Sequence, residues 1–121
     1  MNRIEKSFFV DLLSILPENI DCFIQAPSLE NTVIEKMLQD SEYGYYKLLQ
    51  LNSANRDTFV NQEEETLFSV YIQNIQIRKE GVLLFEGFDG VEYGTISNKV
   101  QVPDYFKVKY IPDTCMISSE W

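Results

Sequence analysis

The sequence predicts an α+β fold in which N-terminal helices pack on a mainly antiparallel sheet formed chiefly by the C-terminal half. Three observations carry that expectation. Apolar residues recur at helical spacing from Ile4 to Leu16. Short β-branched and aromatic runs, punctuated by glycine, fill much of the chain after residue 70. The length of 121 residues suits one domain spanning 1–121, and area scaling leaves roughly 6,700 Å² exposed out of roughly 20,000 Å² in the unfolded chain. A hydrophobic content of 45%, with eight Phe, seven Tyr and one Trp, argues against disorder.

Taken in order, Ile4, Phe8, Phe9, Leu12, Leu13, Ile15 and Leu16, with Arg3, Glu5, Lys6 and Asp11 among them, predict an amphipathic helix over residues 2–16. Pro17 stops it, because the residue before proline avoids the helical region. Asp21 to Ala26, bounded by Asn19 and Pro27, reads as a strand. Ser28 stands at an N-cap position, with Asn31 where a capping box prefers glutamate. Leu29, Val33, Ile34, Met37 and Leu38 then line a second helix ending near Asp40. Lys47 to Leu51 fits a strand or a helical turn equally, and the polar residues 52–58 form a loop.

Glu63-Glu64-Glu65 is expected to open a short helix, since acids are favoured at the positive N-terminal end. The run after it, Leu67 to Ile77, fits helix or strand, and the β-branched and aromatic residues of Val70-Tyr71-Ile72 and Ile75-Gln76-Ile77 favour strand after residue 70. Lys79-Glu80-Gly81 joins Ile75–Arg78 to Val82–Phe88 as a hairpin, and Val82-Leu83-Leu84-Phe85, apolar on both faces, places that strand centrally. Phe88-Asp89-Gly90 is a turn, with strand resuming within Val91–Ser97 after Gly94. Val100–Val102 ends at Pro103 as an edge or strand end, and the strict alternation of Phe106–Tyr110 predicts a last strand.

Charge narrows the function. Ten basic and 19 acidic residues leave −9, with no histidine, and the two halves of the chain share the excess. Without a basic stripe to neutralise phosphates, binding to nucleic acid or to an anionic membrane is not expected, whereas a basic protein would be attracted. Arg3 and Lys6 before Phe8-Phe9-Val10 imitate a signal peptide, but Asp11 interrupts the apolar run and Pro17-Glu18-Asn19 is no cleavage site. A cytoplasmic protein is expected. Cys22 and Cys115 match no ligand or redox spacing and sit among apolar neighbours, which predicts buried, inert thiols over a long-range disulfide.

The absence of histidine removes Ser-His-Asp and Cys-His hydrolysis, and no glycine-rich phosphate loop appears. No metal or cofactor is expected. The segment from Glu86 to Gly94 gathers Glu86, Asp89 and Glu92 with Phe88, Tyr93 and three glycines. Its spacing does not fit a calcium loop, so the plain reading is a strand–turn–strand connection. The functional reading is a contact site, in which aromatics anchor while carboxylates meet a partner's Arg or Lys. Tyr43, in Glu42-Tyr43-Gly44-Tyr45-Tyr46, supplies rigid amphipathic contact area of the same kind. Trp121 either docks over the sheet or stays exposed as an anchor.

In size, acidity, lack of catalytic equipment and these acid-and-aromatic segments, the chain resembles bacterial immunity proteins. That resemblance implies a cytosolic inhibitor that neutralises a basic toxin, such as a nuclease, by protein–protein contact, with Glu86, Asp89, Glu92, Tyr93 and Tyr43 binding the partner. Two other classes compete with it. An adaptor or structural subunit of a larger bacterial or phage assembly would make the charge incidental, and a carboxylate-dependent enzyme would use Glu86, Asp89 and Glu92.

Overall fold

The computed structural model describes residues 7–121. The expected first helix is present as α1 (Ser7–Ile15), while its first residues, with Arg3, Ile4 and Lys6, lie outside the described residues. There follow β1 (Ile20–Gln25), α2 (Thr32–Glu35), β2 (Gln39–Asp40), β3 (Lys47–Leu51), α3 (Arg56–Thr66), a 3-10 turn (Phe68–Tyr71), β4 (Asn74–Lys79), β5 (Val82–Phe88), β6 (Tyr93–Ile96), α4 (Asp104–Tyr110) and β7 (Cys115–Ile117). The strands form one seven-stranded sheet in the order β2-β3-β1-β4-β5-β6-β7. Every pairing is antiparallel except the parallel β6–β7 contact, so the fold is α+β.

Side chains alternate across a strand, so register sorts them by face. Leu49, Cys22, Ile77, Phe85 and Ile96 form one inward row across β3, β1, β4, β5 and β6. The helices bury their apolar sides against that face: Phe9 and Leu12 from α1, Ile34 from α2, Phe59 from α3, and Phe106 and Tyr110 from α4 all join the same core. Phe8 meets Phe85, Phe106 and Tyr110, while Phe59 meets Phe9 and Phe68, so aromatic contacts tie three helices to the sheet.

The β4–β5 hairpin turns through Glu80 and Gly81, both at positive φ, which matches the twist of antiparallel strands. Gly87 and Gly94 are not turn residues; they oppose each other inside β5 and β6, on the inward face. Phe85 lies across both, and a Cβ at Gly94 would stand 2.5 Å from its ring and 2.5 Å from the Glu86 carbonyl. Only Gly90 of the three sits in the turn, at φ 78.

Several sequence expectations are overturned, each for a local reason. The Phe106–Tyr110 segment is helical: Phe106 and Tyr110 are buried at i,i+4 while Val108 is 86% exposed. Pro103 and Asp104 start that helix and Lys107 and Lys109 end it, complementing its dipole, and these signals outweigh the alternation. The helix expected to end near Asp40 is a single turn capped by Asn31, whose Oδ1 accepts from the Ile34 amide at 3.0 Å; residues 39–40 are strand β2. Glu63-Glu64-Glu65 closes α3 instead of opening a helix. Glu63 is buried and accepts from the Ser69 amide and hydroxyl, joining α3 to the 3-10 turn. Val70-Tyr71 belongs to that turn, β4 begins only at Asn74, and residues 100–102 form no strand.

Both cysteines are buried and free. Burial pushes the Cys22 and Cys115 thiols from 9.0 up to about 12. An unfolded thiol ionises near 9 while the folded one stays protonated, so the unfolded chain binds fewer protons between those values and stability falls as pH rises from 9 to 12. Native protein at pH 8 is therefore expected to resist a thiol-specific reagent that labels both cysteines in denaturant. Rapid labelling of the native form at pH 8 would contradict their burial.

Candidate protein-binding face

The face opposite the helices carries no helical layer among the described residues, and strand pairing lays out its side chains. One rung crosses the whole sheet: Gln39, Leu48, Phe23, Gln76, Glu86, Thr95 and Met116, one residue from each strand. At roughly 4.8 Å between strands it spans about 29 Å. A second rung runs through Gln25, Asn74, Phe88 and Tyr93, and a third through Gln50, Asp21, Arg78 and Leu83.

The strands hold Glu86 near the middle of this face, half-buried in β5. Its Oε2 accepts from Asn74 Nδ2 at 3.2 Å and Gln76 Nε2 at 3.4 Å, both on the neighbouring strand. Asn74 in turn accepts from the Tyr46 hydroxyl at 2.6 Å. Gln76 Oε1 accepts from Arg78 Nη2 at 2.9 Å, and Arg78 also donates to the Gly81 carbonyl. A continuous polar chain thus runs from Tyr46 through Asn74, Glu86 and Gln76 to Arg78. Burial and the charge of Glu86 both raise the Tyr46 hydroxyl above its ordinary pKa.

Aromatic pairs flank that chain on either side. Tyr43 packs edge-on against Phe23 at 4.9 Å and accepts the Arg78 guanidinium over its ring at 5.7 Å. Phe88 and Tyr93 stack at 5.6 Å with an interplanar angle of 26°. The Tyr93 hydroxyl donates to Asp89 Oδ2 at 3.0 Å, and that bond, followed by the charge of Asp89, raises its pKa.

Of the residues singled out from the sequence, Glu86, Tyr93 and Tyr43 fall on this one face, and Asp89 is tied to it through Tyr93. Glu92 is exposed in the tight β5–β6 turn, where Asp89, Gly90 and Val91 all adopt positive φ. Tyr46 lies in the tyrosine segment that the sequence marks out, although Tyr43 alone is assigned to the partner there, and sequence reasoning misses Asn74, Gln76 and Arg78. The alternation of Asn74, Gln76 and Arg78 with Ile75 and Ile77 is a signal for a polar face. It says nothing of whether a second layer covers that face.

Among the described residues, no three Cys, Asp or Glu side chains gather as a metal site would require, and no helix is long and apolar enough to cross a membrane. Trp121 is half-buried: its amide donates to Ser118 Oγ and its carbonyl accepts from the Asn98 amide. No protein-family model matches the chain, and neither the curated proteins nor the solved structures contain a significant match to it.

Proposed function

We propose that this protein binds a basic protein partner through the open face of its sheet and thereby blocks it, as immunity proteins do to toxins. The observation that carries the reading is a sheet face without a helical layer among the described residues, which carries Tyr43, Glu86, Phe88 and Tyr93 in a chain of net charge −9. Half-buried aromatics supply contact area with few rotamers to order, and the protein's field draws a cationic surface toward it. On this reading the polar chain beneath serves to hold the contact side chains still, and the work is recognition in the cytoplasm without chemistry or cofactor.

The triple reversal of Glu86, Asp89 and Glu92 to lysine tests it. Association with a partner captured from the source cell at low salt is expected to slow on the order of ten- to a hundredfold, with circular dichroism unchanged. Unchanged capture by the folded triple variant would remove this face from the interaction.

A second reading, as an adaptor or assembly subunit, draws on α4. There Tyr105 and Val108, 58% and 86% exposed, lie at i,i+3 on the outer side of the helix. Self-association abolished by Val108→Asp would favour that reading over the inhibitor.

A further inference from the structure

We propose that Glu86 Oε1 and the stacked Phe88–Tyr93 pair form a receptor for one arginine side chain of the partner. The inference rests on the reading of the open sheet face as the binding surface, and it names the group recognised there. Glu86 is the one carboxylate in the rung that crosses the sheet, and both donors that reach it, Asn74 Nδ2 and Gln76 Nε2, converge on Oε2. Neither donor is charged. Among the described residues Oε1 takes no hydrogen bond and neither oxygen takes an ion pair.

Arg78 is the cation nearest in the polar chain, and it is diverted. Its guanidinium is committed to Gln76 Oε1, the Gly81 carbonyl and the Tyr43 ring, so Gln76 stands between the two charges with its oxygen toward Arg78 and its nitrogen toward Glu86. A half-buried carboxylate oriented by two amides, yet left unneutralised, is an acceptor awaiting a cation from outside.

The neighbours select which cation. Phe88 stands two residues along the same strand on the same face, roughly 6.6 Å away by strand rise, and Tyr93 stacks against it while remaining 48% exposed. A planar guanidinium can donate to Oε1 and lie against this aromatic pair at once, whereas a lysine ammonium meets the carboxylate as a point charge without the stacking. The face already seats one guanidinium on an aromatic ring, Arg78 over Tyr43 at 5.7 Å.

The test titrates isotope-labelled protein with N-acetyl-argininamide and, separately, N-acetyl-lysinamide at low ionic strength, followed by nuclear magnetic resonance. Arginine should give saturable shifts of the Asn74 and Gln76 side-chain amides and the Tyr93 ring, with lysinamide binding more weakly. Glu86→Gln should weaken the arginine response about tenfold, and Tyr93→Leu should narrow the gap between the two probes. Shifts that stay on the open face but persist unchanged in Glu86→Gln would overturn the arginine receptor and leave the binding face standing. Shifts confined to the helical side, or none at these signals, would overturn both.

Discussion

Replacing Gly94 with alanine is expected to destabilise the protein by about 3 kcal/mol and to lower its melting temperature on the order of 10 °C. The added methyl would meet the Glu86 carbonyl and the Phe85 ring, each at 2.5 Å. A flexible side-chain end could move aside, but the carbonyl belongs to strand β5 and the ring is fully buried, so relief requires parting β5 from β6. Gly44→Ala is the control. Nothing stands within 4 Å of a Cβ there, and that substitution should leave stability within about 1 kcal/mol. Equal denaturation midpoints for the two variants would show that β5 and β6 do not approach as described.

Phe59→Ala should be the most damaging single truncation on the helical side, at about 3–5 kcal/mol by urea denaturation. Phe59 is fully buried and meets Phe9 of α1 at 5.9 Å and Phe68 of the 3-10 turn at 5.1 Å, both edge-on. It is also the one large apolar side chain that α3 buries completely, the other buried residue of that helix being Glu63. Losing it leaves a cavity between two elements and removes the apolar anchor of an otherwise polar helix. Phe59→Leu keeps most of the volume and should lose distinctly less. A truncation costing under about 1 kcal/mol would mean that α3 is not held by this contact.

That helix also shows why part of the fold was hidden in the sequence. Residues 56–66 bury Phe59 and Glu63 at i,i+4, and a carboxylate in a buried position leaves no apolar period to read. The α4 segment misleads in the opposite way: Phe106, Val108 and Tyr110 alternate like a strand, although Pro103-Asp104 ahead of them was a readable helix start. Where one pattern stood alone, as in α1 or the Glu80-Gly81 hairpin, sequence and structure coincide.

The candidate site was legible in its residues but not in its assembly. Glu86, Tyr93 and Tyr43 stood out by composition, yet Tyr43 and Glu86 share a face only because β1 and β4 lie between their segments, and that pairing is set by tertiary packing. Asn74 and Gln76 look unremarkable in the sequence, and their importance comes from the register that aims both at one carboxylate oxygen.

The strand order also bears on how the chain is made. β1 leaves the ribosome before every other strand, yet it sits inside the sheet with β3 on one side and β4 on the other. Gln25 must wait for Asn74, and at about 5–20 residues per second that delay lasts seconds. Through that interval the nascent Ile20–Gln25 segment, with Asp21 its one charge, offers an open edge to any neighbouring chain. Protection from chaperones during synthesis therefore matters most before β4 emerges.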